Sequence, residues 1–156
     1  MTTIVNGVPN LFVFEQDRLR GGQPTVDGWT YLKGQGITDV VKLNTEEEGS
    51  DSPAEAMGMV VHRFPIPWWR QLILQPKQSD LKAVVALIKP HSFVHCLRGE
   101  DRTSLAVACF RLSQGWTKED AYLEMVAHGF HSSLQALQGR WNSENPADWI
   151  ALKPAQ

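Results

Sequence analysis

Short apolar runs rich in β-branched residues alternate with segments of helical spacing, and this alternation most constrains the fold. Residues 37–43 (ITDVVKL) read as a buried strand. Residues 59–66 (MVVHRFPI) read as a second, stopped by Pro65 and Pro67, and residues 92–95 (SFVH) as a third. Residues 11–15 form a further short apolar run before the turn cluster Arg20-Gly21-Gly22-Gln23-Pro24. Helices are predicted over 26–35, with Trp29 and Leu32 on one face, and over 79–89, where Leu81, Val84, Val85 and Ile88 recur at helical spacing. Another is predicted over 103–113, with Leu105, Cys109 and Leu112 in one stripe. The next is capped by Thr117 and stopped at Gly129, and a tail over 132–152 is helical in pieces. Ser52, Pro53 and Glu55 have the order of a capping box. Strand and helix in alternation imply an α/β fold: a central, mostly parallel sheet of about four to five strands flanked by helices. The 156 residues fit one domain, with no repeat or linker to divide them.

Composition narrows the function classes. Fifteen basic against 17 acidic residues leave a net charge of −2, which lacks the basic field of a nucleic-acid binder. No apolar run approaches the ~18 residues of a membrane span, and residues 1–14 do not have the pattern of a secretory leader. Neither nucleic acid nor membrane is expected as a partner. A cytoplasmic setting is expected, with both cysteines, Cys96 and Cys109, reduced.

The chemistry concentrates in His95-Cys96-Leu97-Arg98-Gly99-Glu100-Asp101-Arg102-Thr103, where a predicted strand passes into a predicted helix. Unpaired N–H groups and the positive dipole end make a helix N-terminus suited to an anion. A cysteine placed there with Arg102 nearby favours the thiolate, the nucleophilic form. The amides of the five-residue loop can turn inward, and Arg102 supplies a planar fork for two phosphate oxygens. These parts together suit phosphoryl transfer.

This segment resembles the His-Cys-x5-Arg-Ser/Thr motif of the cysteine-dependent protein tyrosine phosphatases. The loop follows about 95 residues, unlike that of the low-molecular-weight branch, which lies near the N-terminus. Arg20-Gly21-Gly22-Gln23-Pro24 and the stretch 103–127, with its Gln114-Gly115-Trp116 corner, are similar to the dual-specificity branch and its small bacterial relatives. The resemblance covers about 20–130 and implies roles for this chain's residues. Cys96 would attack phosphorus and form a phosphocysteine that water hydrolyses. The amides of Leu97, Arg98, Gly99, Glu100, Asp101 and Arg102, with the Arg102 guanidinium, would hold the equatorial oxygens. The Thr103 hydroxyl would bond the Cys96 sulfur, and His95 would orient the loop through backbone. No metal or cofactor is called for.

One element of the family pattern is missing. These phosphatases usually carry a general-acid aspartate on a loop some way before the cysteine, but residues 57–71 hold neither Asp nor Glu. Asp80 falls in the first turn of a predicted helix, where it complements the dipole. The loop's own Asp101 is the candidate general acid or water-positioning group.

The expected substrate is a phosphorylated protein or a small phosphate monoester. Arg98 against Glu100 and Asp101 gives the five intervening residues an excess of one negative charge, which disfavours polyphosphorylated ligands and fits phosphotyrosine better. Trp68 and Trp69 read equally as a wall for an aromatic ring or as packing beneath a loop. Cys109 reads as core. The acidic run 46–51, and Arg63, Arg70, Lys77 and Lys82, read as solvated, and the remaining histidines carry no assignment. Two other readings stay open: a phosphoprotein-binding module with little turnover, and an arsenate reductase or sulfurtransferase on a similar loop.

Overall fold

The computed structural model of the chain describes residues 3–150. Strands β1 (Ile4–Val5) and β2 (Val8–Pro9) form a small hairpin that the sequence pattern did not announce. Then follow β3 (Phe12–Glu15), β4 (Arg18–Gly21), α1 (Val26–Gly34), β5 (Asp39–Lys42), α2 (Ser52–Ala56) and β6 (Val60–Arg63). After these come α3 (Arg70–Ile73), α4 (Gln78–Ala86), β7 (Ser92–His95), α5 (Arg102–Ser113), α6 (Lys118–Ala127), α7 (Gln135–Asn142) and α8 (Ala147–Ile150). The helical tail was expected to reach residue 152, and its last two positions lie outside the described residues.

Five strands make one sheet in the order β3-β4-β7-β5-β6, parallel except for the edge pair β3–β4. The apolar runs are continuous because both sheet faces are covered, as parallel sheets require. Val40 and Phe93 are paired in register and face Trp29 and Leu32 of α1, with Ala54 and Met59. One residue on, Val41 and Val94 are paired and face the opposite side, against the apolar residues of α4 and α5. Helix α5 is buried along all twelve of its residues, so its apolar stripe understates its burial. It is the central helix of its layer, packed against α4, α6, α7 and α8.

Two local readings are corrected. The turn cluster begins inside a strand, because Arg20 and Gly21 close β4 and pair in parallel with Val94 and His95. Ser52 opens α2 rather than capping it: Asp51 holds the cap position, and no side chain there makes a capping bond. The Asp51 carboxylate is engaged instead with Lys42, His95 and Gln23. Thr117 does cap α6, its Oγ1 accepting from the Asp120 amide at 3.1 Å.

Candidate active site

The parallel ladder aligns the last residues of three neighbouring strands, Gly21 of β4, His95 of β7 and Lys42 of β5. β7 enters the sheet between two strands formed earlier in the chain, so the segment after His95 opens at a crevice beyond the strands' carboxyl ends. Such a crevice is where open α/β sheets bind ligands. Residues 96–101 turn there and run directly into α5 at Arg102. Cys96 is buried, and its Sγ accepts the Gly99 amide at 3.3 Å.

The loop is held from outside by its carbonyls. The Gln23 amide donates to Leu97 O at 2.8 Å. Arg20 donates to Gly99 O at 3.1 Å and to Ser104 Oγ at 2.6 Å. Asn10 Nδ2 joins Gly99 O at 3.0 Å to His128 O at 3.1 Å. With carbonyls tied outward, amides are left for the concave side. This gives the Arg20-to-Pro24 segment a physical role that its sequence alone did not reveal. Its glycines permit the approach: a Cβ on Gly22 would lie 2.6 Å from Leu97 O. Gly99 has φ +74°, and a Cβ there would lie 2.4 Å from the carbonyl carbon of Gly21. Burial pulls the Arg20 guanidinium down to about 10, still cationic at neutral pH.

Arg102 is buried and held by Glu48 in a two-pronged contact, Nη1 to Oε1 at 2.9 Å and Nη2 to Oε2 at 2.8 Å. Nη1 also donates to Ile66 O at 2.7 Å. Burial alone would push the Glu48 carboxyl up; the Arg102 and Thr45 hydrogen bonds outweigh it and leave the group below its ordinary value. Arg102 Nε and Thr103 Oγ1 are buried without a hydrogen-bond partner among the described residues. The sulfur thus takes the Gly99 amide, and the contact that the resemblance implies from Thr103 is not made in this arrangement.

Beneath the loop lies a buried polar cluster. Asp51 Oδ1 takes Lys42 Nζ at 3.0 Å and Gln23 Nε2 at 2.9 Å, while Oδ2 takes His95 Nε2 at 2.7 Å. His95 Nδ1 lies 3.0 Å from Cys96 O, so the resemblance's backbone-orienting role for His95 has a matching contact. Both ring nitrogens thus lie at hydrogen-bond distance from an oxygen, one of Asp51 and one of the backbone. Lys42 also reaches Gly49 O at 2.6 Å, Gln23 Oε1 at 3.0 Å and Asn44 Oδ1 at 3.3 Å. The solvated reading of residues 46–51 is therefore corrected: Glu48 and Asp51 turn inward, where Arg102 and Lys42 need counter-charges and the His95 ring a hydrogen-bond partner. Glu46 does stay at the surface, paired with Arg63. The sequence signal was a run of acids directly following a strand whose end carries a lysine.

A cleft of about 360 Å³ opens over the loop, with Cys96, Leu97, Arg98, Asp101, Arg102, Glu48, Trp68 and His131 in its wall. Trp68 is exposed there, while Trp69 does not line it. Glu100 points away, toward Gly129. Asp101 accepts the His131 amide at 2.8 Å and His131 Nδ1 at 3.0 Å, a partner that sequence reasoning passed over because it lies 30 residues on. Cys109 is wholly buried in α5, where burial pushes its thiol well up, as a core residue should behave.

Residues 14–141 match the family described as "DSP-PTPase phosphatase fused to NAD+ Kinase". A curated relative, inositol diphosphatase DSP2 of Oryza sativa subsp. japonica, is 26% identical over 103 residues, which is 62% of this chain and 50% of that protein. The chain thus spans about half the length of that relative. Among solved structures, the core catalytic domain of the S. cerevisiae PP-IP phosphatase SIW14, in complex with citrate, superposes with a TM-score of 0.75 at 15% identity, over 96% of this chain and 93% of that one. A cysteine-to-serine variant of P. aeruginosa TpbA in complex with pTyr gives 0.77 at 18% identity, over 97% and 94%. At such identities the likeness of the structures is one of fold. It agrees with the α/β architecture and mostly parallel sheet expected from the sequence.

Proposed function

The chain belongs to the dual-specificity-type cysteine phosphatase family described above and is a hydrolase, and from that premise we propose that it cleaves phosphate monoesters through a phosphocysteine on Cys96. The observation that carries this reading is the placement of Cys96 between β7 and α5, its Sγ bonded to the Gly99 amide and Arg102 fixed beside it by Glu48. The thiolate attacks phosphorus in line, and the loop amides with Arg102 hold the equatorial oxygens as charge redistributes. Water then opens the phosphocysteine and returns the thiolate. Asp101, at the cleft end of the loop, serves the proton transfer to the leaving oxygen or the positioning of the water, directly or through the group it holds.

We take the substrate to be a singly phosphorylated aryl group, phosphotyrosine first. Glu48 neutralises Arg102, and Asp101 opposes Arg98, so the cleft wall has little positive charge left for a polyphosphate. Exposed Trp68 offers a flat apolar face to an aromatic ring. The alternative of an inositol diphosphate substrate takes its support from the rice relative.

The test is hydrolysis of a small aryl phosphate without added metal, native chain against Cys96→Ser. Vanadate-sensitive turnover that the serine variant lacks is the expected result. Phosphopeptide binding without turnover would favour a capture module instead. Faster cleavage of an inositol diphosphate than of a phosphotyrosine peptide would overturn the substrate assignment.

A further inference from the structure

Resting on the phosphatase reading, the leaving oxygen must take its proton from a group in the cleft wall. The cleft wall holds few groups able to give one to a leaving oxygen. Both Glu48 oxygens are bonded to Arg102. Arginines keep their protons. That leaves Asp101 and His131, and the two are joined. Asp101 is mostly buried, and its Oδ1 accepts both the His131 backbone amide at 2.8 Å and the ring Nδ1 at 3.0 Å, with Oδ2 at 3.2 Å from Nδ1. A carboxylate used in this way is an acceptor, and Nδ1 must be the donor. The other ring nitrogen, Nε2, makes no hydrogen bond to the protein among the described residues, and the ring is half-exposed in the cleft wall.

We propose that His131, oriented by Asp101, is the catalytic acid and base of the reaction, and that Asp101 acts as its positioning residue. The imidazolium form of His131 has Nδ1–H on Asp101 and a second proton on Nε2. As the Cys96 thiolate forms the S–P bond and the P–O bond to the leaving group breaks, the Nε2 proton passes to the departing oxygen. The ring becomes neutral imidazole with Nδ1–H still held. Water then attacks phosphorus, its proton passes to Nε2, the S–P bond breaks, and the thiolate and imidazolium are restored. One ester and one water give one alcohol and one inorganic phosphate. A carboxylate that fixes one imidazole nitrogen and frees the other is a general way to hold a histidine in the required tautomer.

The loop from α6 to α7 brings His131 to the cleft wall, which bears on the lack of any acid in residues 57–71. Of the charged groups near His131, Asp101 is in contact, Arg98, Arg102 and Glu48 line the same cleft, and Glu100 lies beside Gly129.

Leaving-group dependence separates proton donation from loop support. A nitrophenolate departs readily without a proton, whereas a phenolate does not. His131→Ala is expected to lower kcat/KM on phenyl phosphate by about 10²-fold or more, and on nitrophenyl phosphate by far less, with vanadate affinity unchanged. Added imidazole should restore part of the loss on phenyl phosphate. Asp101→Asn should show the same leaving-group pattern, in milder form. An equal fall on both esters, no fall on either, or loss of vanadate binding together with turnover would each overturn the role given to His131. A native chain without Cys96-dependent turnover on either ester would instead sink the phosphatase reading beneath it.

Discussion

Glu48 grips Arg102 fork to fork, at 2.9 and 2.8 Å, so the guanidinium at the start of α5 is fixed in plane before any ligand arrives. A planar cation aimed in advance loses no orientation when charge develops on phosphorus. Glu48→Ala frees that fork and leaves Arg102 with only the Ile66 carbonyl among the bonds just described. The expected result is a fall in kcat of about 10²-fold on an aryl phosphate, with vanadate bound more weakly. Glu48→Gln, which keeps one acceptor, should fall between native and Ala. Native turnover in Glu48→Ala would remove the positioning role.

Asp51 stands between the buried Lys42 ammonium and the doubly hydrogen-bonded His95 ring. Replacing it by Asn leaves the buried Lys42 ammonium without its carboxylate, a loss of about 3–5 kcal/mol and a drop in Tm on the order of 10 °C. Burial would raise the Asp51 carboxyl, but His95, Gln23 and Lys42 together bring it below the ordinary value. A carboxyl depressed by folding contributes its full stabilisation above the ordinary carboxylate range and loses it as pH falls through the folded value. The native chain should therefore lose stability faster than Asp51→Asn on acidification below pH ~4. Denaturant titrations of both proteins across that range decide it. Parallel pH profiles would mean that Asp51 gains nothing from its partners.

Much of the fold was legible because it rests on local pattern. The run at 37–43 gave β5, and residues 92–95 gave β7 with the same ends, since continuous apolar residues have few other places to go in an α/β domain. The nucleophile loop was legible for the same reason: its residues are contiguous. What escaped was whatever depends on partners distant in sequence. Glu48 and Asp51 sit in a run of acids that local pattern assigns to solvent, and only the assembled fold brings them against Arg102 and His95. His131 lies 30 residues past Asp101 on a loop with no periodicity to place it. Arg20-Gly21-Gly22 could be matched to relatives, yet its work on the Leu97 and Gly99 carbonyls is a property of the assembled sheet.

Gly99 makes that work testable. Its φ of +74° and the backbone of Gly21 and Gly22 within 2.7 Å of any added Cβ leave no room for a side chain. Gly99→Ala must displace the loop, remove the amide from the Cys96 sulfur and open the Arg20 and Asn10 contacts. Thiol-dependent turnover should fall by more than about 10²-fold. Gly115→Ala is the control, because Gly115 has φ +92° but nothing within 4 Å of a new Cβ. It should cost only the left-handed strain of roughly 1–2 kcal/mol and leave kcat intact. Equal kinetics in the two variants would show that steric room at Gly99 is not what shapes the loop.

His128 provides a pH response separate from the chemistry. Its ring stands edge-on to Phe12 at 4.4 Å, and its carbonyl takes the Asn10 side chain that also holds Gly99. Burial first, and then the positive charge of Arg20, push the imidazole from its ordinary 6.5 down to about 4. The folded chain thus resists a proton that the unfolded chain accepts. Stability from this group is complete above pH 6.5 and is lost as pH falls toward 4, where both states become protonated. The loss is on the order of 2 kcal/mol, given the partial exposure of the ring. His128→Phe keeps an aromatic edge against Phe12 and removes the titration. Its stability should match the native chain near neutral pH and stay flatter than native between pH 6.5 and 4, as followed by urea unfolding at fixed temperature. A native curve as flat as that of the variant would mean that His128 takes up its proton in the folded chain as readily as in the unfolded one.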